Sequence, residues 1–212
     1  MTENSAVQPS AVNAKGTRLN RRGQQTRETL LRTAVRCLAE GGPDAVSANR
    51  VAREAGLTWG TVQHQFGDSD ALWAAVIESI AARGWDLLPV PETAVELPDR
   101  VEAVFGLIWD AMDRAALRAT HNLRMALPRS RPALEAEYPL TAAALAGWDA
   151  KWELAVRGAF EGLDVDEARL QGVRAFLPSA VRGLHEEQYL GSYVDLEVAR
   201  RGLIEALTAY LR

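Results

Sequence analysis

From Ser47 to Leu72 the order of caps, small residues and glycines leaves the chain little choice of fold. Ser47 is a good N-cap for a short helix through Ala55, and Gly56 supplies the left-handed backbone that a sharp turn needs. Thr58 caps a second helix running to about Phe66, where Gly67 and Asp68 stop it. Ala52 is small enough for the two helices to cross closely, and the β-branched Val62 pins one against the other. A further helix starts at about Ser69. This pattern is a helix-turn-helix, a motif whose dominant use is to lay a short helix into the DNA major groove. The segment Thr58 to Phe66, at ~1.5 Å per residue, makes a rod of ~13 Å, matched to a groove ~12 Å wide.

With Leu57, Val62 and Phe66 turned inward, the outward set is Thr58, Trp59, Gly60, Thr61, Gln63, His64 and Gln65. Such a face supplies hydroxyls for phosphates, amides that pair bidentately with adenine, and a glycine that lets the backbone come close. Ser47 serves both as cap and as phosphate contact. Trp59 has two readings, a stack on sugar or thymine methyl and a cover for the helix. His64 is read as a phosphate or base contact, since no partner ligands for a metal lie near it. Arg50 and Arg53, on the exposed side of the preceding helix, are read equally as solvated.

The charge of the chain is divided to match. The net charge is −4, which alone argues against a nucleic-acid partner. Between Lys15 and Phe66, however, nine basic residues face four acidic ones, and from Gly67 onward fifteen basic face twenty-three acidic. A basic module joined to an acidic remainder is the asymmetry expected when only one of them meets phosphate. Residues 1–22 read as a flexible basic arm: a polar, aperiodic start, then Lys15, Arg18, Arg21 and Arg22, with Arg27 just beyond. This arm either reaches the minor groove or backbone, or is a solubilising tail.

The remainder is helical by pattern, and the fold class is all-α. Leu30, Leu31, Ala34, Val35 and Leu38 form a first stripe at helical spacing, closed by Gly41, Gly42 and Pro43. Cys37 sits within it, read as a small apolar core residue in preference to a redox sensor, and being the only cysteine it has no internal disulfide partner. Leu72, Trp73, Val76, Ile77 and Ile80 line the helix from Ser69 to Arg83. Pro98 suits the start of a helix through Met112, expected to continue with a bend to Leu127. A long helix covers Leu140 to Glu161. Asp166 and Asp195 cap the last two, with stripes Leu170–Leu184 (kinked at Pro178) and Leu196–Tyr210. No apolar run reaches the roughly 20 residues of a membrane span, and no basic-then-apolar start marks a secretory signal. The expected location is the cytoplasm.

Residues Thr26 to Ile77 are similar to the DNA-binding domain of TetR-type transcriptional repressors. The strings that carry the resemblance are Leu30-Leu31-Arg32-Thr33-Ala34, Val51-Ala52-Arg53-Glu54-Ala55-Gly56-Leu57 and Gly60-Thr61-Val62-Gln63-His64-Gln65-Phe66, followed by Leu72. The resemblance implies a helix-turn-helix domain over 23–68 and a helical regulatory domain over 69–212. It also implies a double-stranded DNA operator, a homodimer through the last two long helices, and a small-molecule effector of unknown class. The same stripes would serve a monomer core, but two half-sites one helical turn apart need two symmetric reading helices. The family usually has tyrosine where Gln63 stands and lysine where Ser69 stands. Ser69 keeps a hydroxyl and a helix N-terminus for phosphate but lacks the charge, which shifts phosphate attraction toward Lys15, Arg18, Arg21 and Arg22. For the effector, Phe105, Trp109, Met112, Trp148, Trp152 and Phe176 are candidate cavity walls, with His121, Asn122 and Arg124 as polar handles; for any single aromatic, ordinary core is the favoured reading.

Other classes find no support. The histidines are scattered, no glycine-rich phosphate loop follows a strand, and Glu186–Glu187 and Asp166–Glu167 read as solvated helix ends. No cofactor, no metal and no enzymatic activity are expected. The remaining alternative is a helical interaction protein whose helix-turn-helix no longer meets DNA.

Overall fold

The computed structural model describes residues 12–41, 45–83 and 88–212. Among them the regular elements are helical, with one isolated bridge between Val12 and Arg18 and no strand. Contacts divide the chain into two compact units. One takes in the chain up to Ser79 with Ala119–Leu145; the other is Ile80–Arg118 with Ala146–Arg212. Ala119–Leu145 thus packs with the N-terminal helices, although it lies in the sequence range expected to be regulatory.

The first unit is built on α1 (Arg21–Glu40), α2 (Ala48–Glu54), α3 (Trp59–Phe66) and α4 (Ser69–Arg83). Asn20 caps α1, its side chain accepting from Gly23 N–H at 2.8 Å. Leu30, Ala34, Cys37 and Leu38 of α1, Val51 and Ala52 of α2, and Val62 and Phe66 of α3 are all buried, and α1, α2 and α3 pack on one another. Burying the leucines, valines and phenylalanine among them is worth about 1.5–3 kcal/mol each, so the motif is held by packing more than by the propensity of its short helices. Gly41 ends α1; Gly42 and Pro43 lie outside the described residues.

Two side chains satisfy helix ends from a distance. Asn122 of α6 (Ala115–Ala126) donates through Nδ2 to Leu38 O at 2.7 Å, near the C-terminus of α1. The Asp70 carboxylate accepts from Leu140 N–H (2.9 Å) and Thr141 N–H (2.8 Å), and Thr141 Oγ1 donates back to Asp70 O (3.0 Å). Asp70 thereby fills the first-turn donors of α8 (Pro139–Ala159), which no intrahelical carbonyl reaches. Between them, α7 (Arg131–Glu137) is capped by Ser130.

The second unit has its core where α5 (Leu97–Met112), α9 (Glu167–Glu186) and α10 (Leu196–Leu211) meet. Val104, Phe105 and Ile108 face Val173, Leu177 and Val181, with Val156, Leu207 and Leu211 in the same cluster. Asp166 and Asp195 cap α9 and α10 as expected. The run from Val101 does not continue through a bend. It stops at Asp113, and α6 begins afresh at Ala115, because Asp113 and Arg114 leave the helical ladder in a turn. Pro178 sits inside α9. A 3₁₀ turn, Glu187–Tyr189, follows α9.

Candidate nucleic-acid interface

The turn between α2 and α3 closes with the two hydrogen bonds of a Schellman motif. Gly56 N–H donates to Arg53 O (3.0 Å) and Leu57 N–H to Ala52 O (2.9 Å), with Gly56 at φ +67°. Ser47 Oγ accepts from Arg50 N–H at 3.2 Å and Thr58 Oγ1 from Thr61 N–H at 3.3 Å. The Ser47 hydroxyl keeps its hydrogen for an outward contact, while Thr58 Oγ1 also lies 3.2 Å from Thr61 Oγ1, a pair in which either hydroxyl can donate.

On α3, Gly60, Gln63 and His64 are exposed, Trp59 and Thr61 are half-buried, and Thr58 is exposed at the cap. A Cβ on Gly60 would meet only Thr58 Oγ1, at an ordinary 3.7 Å. Nothing described inside the chain requires a glycine there, whereas a surface pressed closely from outside would. Gln65 does not belong to this outward set. It is buried, and its Nε2 donates to Gly23 O at 3.3 Å, tying α3 to the start of α1. Its position explains why: it follows Val62 by three residues, about 60° from it around the helix, so it shares the face of Val62 and Phe66.

The basic residues sort into two groups. Arg27 is structural: its Nη1 donates to Gln65 O at 3.0 Å, its guanidinium stacks 4.3 Å from the Phe66 ring centre, and burial holds its pKa below the usual value. Arg50 and Arg36 are also committed, to Glu40 at 2.7 and 3.2 Å, and Arg36 reaches Glu54 at 3.6 Å. Lys15, Arg18, Arg21 and Arg22 are exposed and enter no ion pair among the described residues.

The arm is shorter than the expected 1–22, and its described part is built rather than loose. Arg21 and Arg22 already form the first turn of α1. Residues 12–18 fold back on themselves, Asn13 Oδ1 accepting from Lys15 N–H and Thr17 N–H at 2.9 Å each. Residues 1–11 lie outside the described part. Ser69 opens α4, but Asp68 Oδ1 accepts from Ala71 N–H at 2.8 Å, so a carboxylate occupies the end where a phosphate was expected.

The candidate effector residues are not all in one unit. Phe105 and Trp109 stack at 5.9 Å within the α5–α9–α10 core, and Met112 and Trp152 pack half-buried against it. Trp152 Nε1 donates to Arg174 O at 3.1 Å. Trp148 is half-buried. Phe176 is 40% exposed and meets Tyr210 edge-on at 6.3 Å, on an outer face of α9 and α10 rather than in the core. His121 and Arg124, half-buried on α6, belong to the first unit. Sequence reasoning missed His185, which is buried beside Trp109 (5.1 Å) with Nε2 3.3 Å from Asp113 Oδ1. Its spacing of four from Val181 was the available signal. Among the described residues no three His, Cys, Asp or Glu side chains gather as a metal site, and no helix is long and apolar enough to cross a membrane.

Residues 30–76 match the family described as bacterial regulatory proteins, tetR family. No functionally curated protein matches the chain in sequence. Among solved structures, the multidrug binding protein EbrR complexed with imidazole superposes with a TM-score of 0.60 at 19% identity, covering 95% of this chain and 98% of that one. A protein assigned to the TetR-family regulators from Rhodococcus sp. gives 0.56 at 20% identity, over 89% of this chain and 100% of that one. One from Vibrio parahaemolyticus gives 0.56 at 21%, over 88% and 98%. At these identities the likeness speaks for the fold, while the family match lies on the helices that carry the motif. Residues 30–76, which carry the helix-turn-helix, thus match the tetR family of bacterial regulatory proteins, and the chain as a whole shares the all-helical fold of these solved structures.

Proposed function

We propose that this regulator is a homodimeric repressor that occupies a pseudo-palindromic operator and is released by a small molecule bound in its helical regulatory domain. The observation that carries the reading is the division of α3. Val62, Gln65 and Phe66 lock the helix inward, while Gly60, Gln63 and His64 stand clear of it. Gln63 would read a base edge, most naturally adenine N6 and N7. Ser47, Thr58 and Thr61 would hold phosphates, and Trp59 would cover sugar or a thymine methyl.

A second copy is supported by the outer face of α9 and α10, where Phe176, Val198 and Tyr210 are 40–60% exposed. Pairing of two copies across a two-fold axis is what a pseudo-palindromic operator with half-sites one helical turn apart calls for. The effector role rests on the fold shared with the multidrug binding protein EbrR. Release follows if the effector binds more tightly to a conformation in which the reading helices are wrongly spaced. The working location is the cytoplasm, where the operator is.

The test is a titration of duplexes selected from random sequence. Specific binding that weakens steeply with salt, with two symmetric half-sites per duplex, supports the reading. Selection of no sequence over many rounds contradicts it.

A further inference from the structure

Pro178 interrupts the hydrogen-bond ladder of α9 and takes the helical donor away from one carbonyl. In an α-helix each carbonyl accepts from the N–H four residues on. Proline has no N–H, so Arg174 O loses that partner. A replacement comes from another helix: Trp152 Nε1 of α8 donates to Arg174 O at 3.1 Å. The match is specific, because the carbonyl four residues before the proline is the one the indole reaches. A proline inside a helix is a point of bending, and its ring also crowds that same carbonyl. A donor arriving from outside α9 therefore sets the geometry of the break.

The two halves of α9 are tied to different neighbours. Before the break, Arg169 Nη1 donates to Tyr210 O at 3.2 Å, and Phe176 meets the Tyr210 ring edge-on at 6.3 Å. A Cβ on Gly172 would stand 2.8 Å from the Tyr210 hydroxyl, so the glycine lets α10 come this close. After the break, His185 packs against Trp109 at 5.1 Å and lies 3.3 Å from Asp113 Oδ1, at the C-cap of α5. The 3₁₀ turn holds to the same place, the Tyr189 hydroxyl donating to Asp113 Oδ1 at 3.0 Å. A bend at Pro178 moves the half that carries exposed Phe176 against the half seated on α5. Trp152, which controls that bend, packs half-buried on the α5–α9–α10 core.

We infer that α9 is a hinged helix with Trp152 as its latch. With the indole N–H on Arg174 O the break is closed, and the outer face of α9 and α10 keeps the form that binds the operator. An effector that draws the indole away, by packing on it or by offering its N–H another acceptor, opens the break and alters that face. Trp152 is a positioning residue, acting through α9. This rests on the repressor reading above and names the element that carries its regulation.

The full chain, Trp152→Phe, Pro178→Ala and the double variant are compared by amide hydrogen exchange, thermal unfolding and titration of a selected duplex. Trp152→Phe keeps an aromatic ring and removes the donor. Exchange in α9 between residues 174 and 184 is expected to rise about three- to tenfold, the factor that one net hydrogen bond supplies. Operator affinity falls by at most the same factor, because apparent affinity scales with the fraction in the binding-competent form. Pro178→Ala returns a backbone N–H to Arg174 O and is expected to unfold at a higher temperature. On that background Trp152→Phe should leave exchange and operator affinity unchanged, a coupling that lost packing alone would not produce. Equal effects of Trp152→Phe in both backgrounds overturn the latch. Coupled exchange with one operator affinity in all four chains overturns its regulatory role. A wild-type chain that binds no selected duplex overturns the repressor reading, while the exchange data still decide the latch.

Discussion

Gln63 and Gln65 stand two residues apart on one helix and are expected to fail in opposite ways. Replacing Gln65 by alanine removes the 3.3 Å bond to Gly23 O, about 0.5–1 kcal/mol for a bond of that length. It also removes a buried methylene worth about 0.8 kcal/mol and leaves a void adding about 1 kcal/mol. Against these stands a relief of about 1 kcal/mol, because Gln65 Oε1 is buried with no hydrogen-bond partner. The net is a destabilisation of about 1–2 kcal/mol, or a Tm lowered by about 3–6 °C for a chain of this size. Gln65→Met fills the space without the orphaned oxygen and is expected to be close to neutral. Gln63→Ala, on the exposed face, leaves Tm unchanged but costs about 1–3 kcal/mol of operator discrimination, about 5- to 150-fold. The assay is thermal unfolding paired with anisotropy titration of a selected duplex. If Gln65→Ala kept its Tm and lost more DNA affinity than Gln63→Ala, the assignment of inner and outer faces would be wrong.

Asp70→Ala strips two backbone amides of their carboxylate at the start of α8, and is expected to cost about 2 kcal/mol, read as a lower urea midpoint with unchanged m. Cys37 is fully buried, and burial pushes its thiol pKa up. Native protein should therefore resist a thiol reagent that labels it quickly once unfolded. Because the folded thiol holds its proton more tightly than the unfolded one, this contribution to stability is complete below about pH 8.5 and is lost as pH rises toward the folded value; a Cys37→Ala variant lacks that slope. Val198, 60% exposed on α10, is the place to test the pairing of subunits: Val198→Glu should shift sedimentation from dimer to monomer while leaving the helix content intact.

Local features were legible because their causes are local. Ser47, Thr58, Asp166 and Asp195 each cap the helix that their position announced, since capping needs only a side-chain oxygen and the next turn of amides. Gly56 was legible for the same reason, a single residue meeting a single backbone demand. Gln65 was misplaced because polarity was allowed to outweigh its angle around the helix. The helix through Met112 was carried too far because Ala115, Ala116 and Leu117 keep helical composition across a turn that only Asp113 and Arg114 mark. Asp70 capping α8 and Asn122 on the end of α1 depend on partners distant in sequence, and no periodicity encodes them. The grouping of Ala119–Leu145 with the N-terminal helices follows from those same long-range contacts. His185 sat on a legible stripe, but Trp109 comes to it from α5 and Asp113 from the C-cap of that helix.

The central claim is that α3 enters a major groove with Gly60, Gln63 and His64 foremost, and dimethyl sulfate footprinting on a selected duplex addresses it directly. Guanine N7 lies in the major groove and adenine N3 in the minor. The account predicts guanine N7 protection in two tracts about ten base pairs apart, reached only at higher protein concentration in Gln63→Ala because the adenine contact of that residue is lost. Protection confined to adenine N3, or a guanine footprint that appears at the same protein concentration in Gln63→Ala as in the wild-type chain, would contradict it.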